Sequence, residues 1–170
     1  MAVRDESHRL VQLRFKPVWL YADYVRDFCG FFARSSFDDD ALAQRIGVIV
    51  QELIENAVRH GDEEELELSI ECKGGALVVC VTNTTTEDRA ERLKKVLDEL
   101  AAVSPAEAYE RALRQAGSPG ETGLGLPRVR YEGRVDLELQ TCPGRVAIIA
   151  RGTADAMVSG TKGRCQAGRI

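Results

Sequence analysis

The chain has no run of roughly 18 consecutive apolar residues, the length that crosses a bilayer. The nearest approach, residues 14–32, is interrupted by Lys16, Asp23, Arg26 and Asp27. The first eight residues are polar and carry no apolar signal core. A cytoplasmic protein that stays off the membrane is expected. There is no basic surplus: 23 Lys and Arg against 27 Asp and Glu leave a net charge of −4, which argues against a nucleic-acid binder that must neutralise phosphates. Histidine is scarce, with only His8 and His60, so a His-rich metal site is excluded. The five cysteines (Cys29, Cys72, Cys80, Cys142 and Cys165) form no C-x-x-C pair, which excludes a zinc ribbon and a disulfide framework. They are expected to be buried, reduced thiols, with Cys72 and Cys80 flanking a hairpin turn near one another.

What is present is a 170-residue chain, 44% apolar, enough for one globular domain. Residues 9–15 alternate as a strand and Pro17 ends it. Residues 19–34 carry apolar side chains at three- and four-residue steps, the pattern of an amphipathic helix. This helix is rich in aromatics (Trp19, Tyr21, Tyr24, Phe28, Phe31, Phe32) and apolar over a wide arc, which predicts a homodimer or partner face besides a core face. Ser36 with Asp39 resembles a capping box ahead of a second helix over 40–60, which Gly61 stops. Residues 66–72 and 76–82 read as a hairpin joined through Lys73-Gly74-Gly75. The second run is nearly all apolar, which predicts a central strand covered on both faces. Two helices follow, over 87–103 and 105–116, with Ser104-Pro105 as cap and first-turn residue. A glycine-rich loop spans 117–125, residues 126–131 suit one short helical turn, and a second hairpin runs over 135–140 and 145–150. Residues 1–8 and 152–170 are expected to be flexible ends around a domain at 9–151.

Two segments suggest chemistry. On the second helix, Glu52 and Asn56 stand one turn apart at the border of the apolar face, with Arg59 and His60 one turn further on. A carboxylate there can accept a proton, a carboxamide oxygen can ligate Mg²⁺, and the cations can meet phosphate. An ordinary i, i+4 polar pair has the same spacing. In the glycine loop, Gly117, Gly120, Gly123 and Gly125 allow backbone amides to approach a phosphate, and Pro127 suits the first turn of a following helix. The loop is no Walker A motif, since no Gly-Lys-Ser/Thr follows, and no Rossmann fingerprint, since Arg128 stands where a third glycine belongs. Arg128 and Arg130 are either surface charges or phosphate-facing residues.

Together, Glu52-Leu-Ile-Glu-Asn56-Ala-Val-Arg59-His60-Gly61 resembles the N-box of the GHKL superfamily, the ATP-binding fold of histidine kinases, gyrase and MutL. Thr122-Gly123-Leu124-Gly125-Leu126 resembles its glycine box. The order of elements over residues 9–151 is also similar, above all to the compact anti-sigma-factor serine/threonine kinases of bacterial partner switching. This resemblance implies an α/β two-layer sandwich, a mixed, mainly antiparallel sheet of about five strands with helices on one face. It implies ATP and Mg²⁺ as cofactors. Glu52 would orient water or accept a proton, and Asn56 would bind the metal. Arg59 and His60 would lie near phosphate, and Thr122, Gly123, Leu124, Gly125 and Leu126 would form a lid.

The chain departs from that pattern where the superfamily has Asp-x-Gly-x-Gly. Here the strand ends Val81-Thr82-Asn83-Thr84-Thr85-Thr86, so Asn83 stands at the adenine-contacting Asp and the glycines are missing. Glu121 puts an acid beside the phosphate loop. The helical insert, with Tyr109 and Leu113 before the glycine loop, resembles the atypical SiaB-like kinases, which alter the same box and act with a small STAS-type partner. The resemblance thus implies an ATP-binding signalling switch, an anti-sigma-like protein serine/threonine kinase acting on a STAS-type or sigma-factor-like regulator. The alternative is a nucleotide-degenerate module of the same fold that grips a protein partner without phosphoryl transfer.

Overall fold

The computed structural model describes residues 9–37, 39–62, 64–73, 75–115 and 123–153. The elements run β1 (Arg9–Phe15), α1 (Trp19–Phe37), α2 (Asp40–His60), β2 (Leu66–Lys73), β3 (Ala76–Thr84), α3 (Glu87–Ala101), α4 (Pro105–Gln115), α5 (Gly125–Gly133), β4 (Asp136–Cys142) and β5 (Arg145–Thr153). The strands form one open sheet in the order β1-β2-β3-β5-β4. Every neighbouring pair is antiparallel, so the sheet expected to be mixed has no parallel pair among the described residues.

The core lies between this sheet and α2. Leu42, Ile46, Ile49, Val50, Leu53, Ile54 and Ala57 make one stripe of α2 and are all buried. They meet the inward residues of the sheet, Leu66, Leu68 and Ile70 from β2, Leu77, Val79 and Val81 from β3, and Ile148 and Ala150 from β5. Burying side chains of this size contributes about 1.5–3 kcal/mol each, which seats α2 along the sheet. The backbone positions on the flank of α2 are set by this packing.

Several local expectations need correction. The cap of α2 is Asp39, whose Oδ1 accepts the Leu42 N–H at 3.0 Å, while Ser36 lies inside α1. An aspartate at the N-cap also answers the positive end of the helix, which a serine three positions too early cannot do. The β3 strand is central but covered by helices on one side only. Its residues alternate between buried and half-buried, and Val78, Cys80 and Thr82 are sheltered on the outer face by cross-strand neighbours. There Glu67 holds Arg14 at 2.8 Å and Arg145 at 3.4 Å. Cys80 pairs across from Ser69 on this outer face, whereas Cys72 follows the inward alternation of Leu68 and Ile70, so the two thiols stand on opposite sides of the sheet. Cys29 is fully buried, and burial pushes its thiol up to about 12. Cys142 is exposed, against expectation, because it ends the edge strand β4.

The Ser104-Pro105 start of α4 is as expected, with Ser104 Oγ accepting the Glu107 N–H at 3.2 Å. The short turn expected at 126–131 is a longer helix, α5. No helix among the described residues is long and apolar enough to cross a membrane. The expected end segments, 1–8 and most of 152–170, lie outside the described residues.

Candidate functional site

The flank of α2 brings the candidate residues into one line. Glu52 is at one end, Asn56 one turn along, and His60 and Gly61 at the C-terminal end. One turn is about 5.4 Å, so the line is about 12 Å long. Each end is closed by a different element.

At the first end, α5 packs across α2. Gly125 begins α5, and a Cβ there would lie 2.8 Å from Glu52 Oε2. Glycine at 125 lets the Glu52 carboxylate lie close beside the start of α5, and a larger residue there would have to displace it. The preceding Gly123 has φ +47°, a left-handed turn that favours glycine and swings the chain into the helix. Leu124 is the N-cap and supplies no side-chain hydrogen bond, so the first amides of α5 have no side-chain partner from their cap. Leu126 is buried and anchors the turn. Thr122 and Glu121 lie outside the described residues.

Glu52 is itself engaged. Arg128 Nη1 donates to Glu52 Oε1 at 2.9 Å, and Arg128 Nε donates to Glu132 Oε2 at 3.0 Å. Tyr109 Oη donates to Glu132 Oε1 at 3.1 Å, and its ring stacks on Tyr131 with centroids 4.9 Å apart. Burial raises the Glu52 pKa above the ordinary glutamate value, and the Arg128 hydrogen bond and charge oppose this without cancelling it. Burial would lower the Arg128 pKa, but the two carboxylates outweigh it and the net shift is upward. Of the two arginines left open between surface and phosphate, Arg130 is neither. It is buried and donates to the carbonyls of Leu100 and of Val103, the latter at 3.3 Å, tying α5 to the end of α3.

At the other end, the Asn83 side chain is buried against Gly61, and its Nδ2 donates to the Thr84 carbonyl at 3.1 Å. Its Oδ1 remains the acceptor of that amide. The threonines after it are structural ties. Thr84 O accepts the Asp62 N–H at 3.0 Å, Thr85 N–H donates to Gly144 O at 3.1 Å, and Thr85 Oγ1 donates to His60 O at 3.4 Å. Arg89 clasps the same corner through His60 O, Gly61 O and Asp62. The His60 side chain is exposed. Arg59 turns to α1, its guanidinium carbon 5.7 Å from the centre of the Trp19 ring.

The fold therefore brings together Glu52 and Gly125, and separately Gly61 and Asn83, on the two ends of one helix flank. Asn56 stands between them, half-buried, with no side-chain hydrogen bond among the described residues. A single amide oxygen suits a metal that takes its other ligands from water and phosphate, as Mg²⁺ does. No group of three or more His, Cys, Asp or Glu side chains among the described residues could hold a metal ion alone. The donor set fits a magnesium nucleotide at the Glu52–Asn56–α5 end. It fits less well at the Asn83 end, where an amide oxygen replaces a carboxylate and threonines replace glycines. The sequence reading left the role of Arg128 open and missed Glu132. The visible signal was their i, i+4 spacing on α5.

A fold of this order with an acid and an amide on the flank of its central helix, facing a glycine-led helix start, defines an ATPase-like domain. Residues 20–130 match the histidine kinase-like ATPase domain, and the chain belongs to that family. Among solved structures, it is similar to a chain of the SiaB–SiaC complex from Pseudomonas aeruginosa, with a TM-score of 0.63 and 20% identity over 85% of this chain and 90% of that one. At that identity the likeness is one of fold. No curated protein matches the chain in sequence.

Proposed function

We propose that this protein is an ATP-binding signalling switch of the anti-sigma kinase kind, SiaB-like, which transfers phosphate to or otherwise controls a small protein partner of STAS type. The observation that carries the reading is the line of Glu52 and Asn56 on α2 against the glycine-led start of α5. Asn56 would hold Mg²⁺, which neutralises phosphate charge. The first amides of α5 would face the phosphates. Asn83 Oδ1 would accept from the adenine amino group, and Glu52 would take the proton of an attacking hydroxyl. The likeness to a chain seen in complex with a second protein supports a protein partner, and so does the surface of α1. On that helix Leu20, Tyr24 and Phe31 are each about two-thirds exposed, at 67%, 67% and 68%. A row of large apolar side chains left in water marks an interaction face.

A second reading has its own support. Thr84 and Thr85 are tied into the corner beside Asn83, as expected of a domain that has given up the base pocket and kept only partner binding. Calorimetry of Asn56→Ala with Mg·ATP separates the two. The kinase reading expects Mg-dependent binding by the wild type that is lost in the variant while the circular dichroism spectrum stays intact. Absence of binding by the wild type at millimolar Mg·ATP leaves the partner-binding module.

A further inference from the structure

Arg128 is shared by two carboxylates that hold it unequally. Glu132 is its i, i+4 neighbour on α5 and is steadied from α4 by the Tyr109 hydroxyl. Glu52 reaches it from another helix, 76 positions away in sequence, with its second oxygen beside the bare Cα of Gly125. Two acids around one guanidinium leave one negative charge in excess. The Glu52 carboxylate also lies beside Gly125 at the start of α5, the end of a helix that attracts anions. A terminal phosphate carries about two negative charges near pH 7 and has three strong acceptor oxygens. Brought to the same place, it competes with Glu52 for the same guanidinium and has the greater charge.

We propose, resting on the nucleotide reading above, that Arg128 exchanges Glu52 for the terminal phosphate of a nucleoside triphosphate. Glu132 and Tyr109 keep the guanidinium at its post during the exchange. Glu52, released from its partner, then becomes free to accept a proton only when a triphosphate is present. Arg128 is thus a phosphate-binding residue and, through Glu52, a positioning residue. A diphosphate lacks the group that displaces Glu52, so Arg128 should also set the preference between the two nucleotides. The arrangement further links the insert helix α4 to Glu52 through Tyr109, Glu132 and Arg128.

The test compares calorimetric affinities for Mg·ADP and for a magnesium-bound, non-hydrolysable ATP analogue in the full chain. The wild type should favour the triphosphate by about tenfold or more, the worth of a charge-assisted hydrogen bond. Arg128→Gln should bring the two affinities within about threefold, chiefly by weakening the triphosphate, and Arg128→Lys should retain part of the preference because it keeps the charge and loses the fork. The Arg128 Nε resonance should shift with the triphosphate and stay in place with the diphosphate. If Arg128→Gln unfolds, the resonance and the lysine variant decide. An unchanged preference in either variant, or a resonance unmoved by bound triphosphate, overturns the exchange and leaves the nucleotide reading standing. A wild type that binds neither nucleotide overturns both.

Discussion

Substituting Gly61 by alanine is expected to damage stability and the Asn83 end of the proposed site together. Gly61 has φ −87° and ψ 178°, an extended backbone that any residue adopts, so conformational freedom is not why glycine is there. Space is the reason. A Cβ would stand 2.5 Å from the Ala57 carbonyl oxygen and well inside the van der Waals radius of Asn83 Nδ2. The carbonyl belongs to the last turn of α2 and accepts the Gly61 N–H at 2.8 Å, so it cannot retreat without loosening the helix end. Asn83 is only 5% exposed and has nowhere to turn. Overpacking of this kind costs about 1–3 kcal/mol. Loss of the Asn83–Thr84 hydrogen bond adds about 0.5–1.5 kcal/mol. The sum, about 2–4 kcal/mol, corresponds to a melting temperature lower by about 5–15 °C in a domain of this size. Urea unfolding measures it directly. Asn83→Ala removes one of the two obstacles, so the double variant should be less destabilised than the sum of the singles by about 1 kcal/mol. A Gly61→Ala protein within about 0.5 kcal/mol of wild type would refute the close-approach argument.

Asn83→Asp should favour ATP over GTP by about five- to tenfold, since a charged acceptor strengthens a hydrogen bond from the adenine amino group; competition binding with both nucleotides checks this, and an unchanged ratio removes Asn83 from base recognition. The exposed α1 face predicts a homodimer or a tight partner complex, read by light scattering and crosslinking. Phe31→Glu should abolish the association without lowering the melting temperature, and a wild type that stays monomeric and partner-free at high micromolar concentration argues against the face. Glu52 sets a pH dependence. Its carboxyl holds the proton to higher pH when folded than when unfolded, so the folded state binds more protons from about the ordinary value of 4.5 up to the raised one. That contribution to stability is fully present below the window and is lost as pH rises through it. Glu52→Gln should flatten this part of the curve, and urea titrations of both proteins with the same slope would show that another group is responsible.

Much of the fold was legible because secondary structure follows from short-range periodicity. The second helix expected over 40–60 is α2, its apolar stripe is buried, and Glu52 and Asn56 do share the flank of that helix. Asn83, next to last in the apolar strand β3, could be set against the family's adenine-contacting Asp only through the resemblance of the flanking motifs. Corrections came where a choice depended on neighbours. Ser36 and Asp39 both fit a helix start, and only the length of α1 decides which is free to cap α2. The apolar run of β3 reads as buried on both faces, yet on the outer side its small branched residues are sheltered by cross-strand side chains and by the Glu67 ion pairs.

Residue types and spacing by themselves determined the five strands, the flank of α2 and the candidate acid and amide on it. Tertiary structure alone decided what those groups touch. Glu52 finds Arg128 across 76 positions, and Arg59, expected near phosphate, instead meets Trp19 from the other end of a helix pair. Gly61 could be read as a helix stop, but its need for a bare Cα comes from the Ala57 carbonyl of its own helix together with Asn83, which arrives by way of the β2–β3 hairpin. Periodicity reports which side of an element faces the core. A partner from a distant element is set by the packing of whole layers, and no local pattern encodes it.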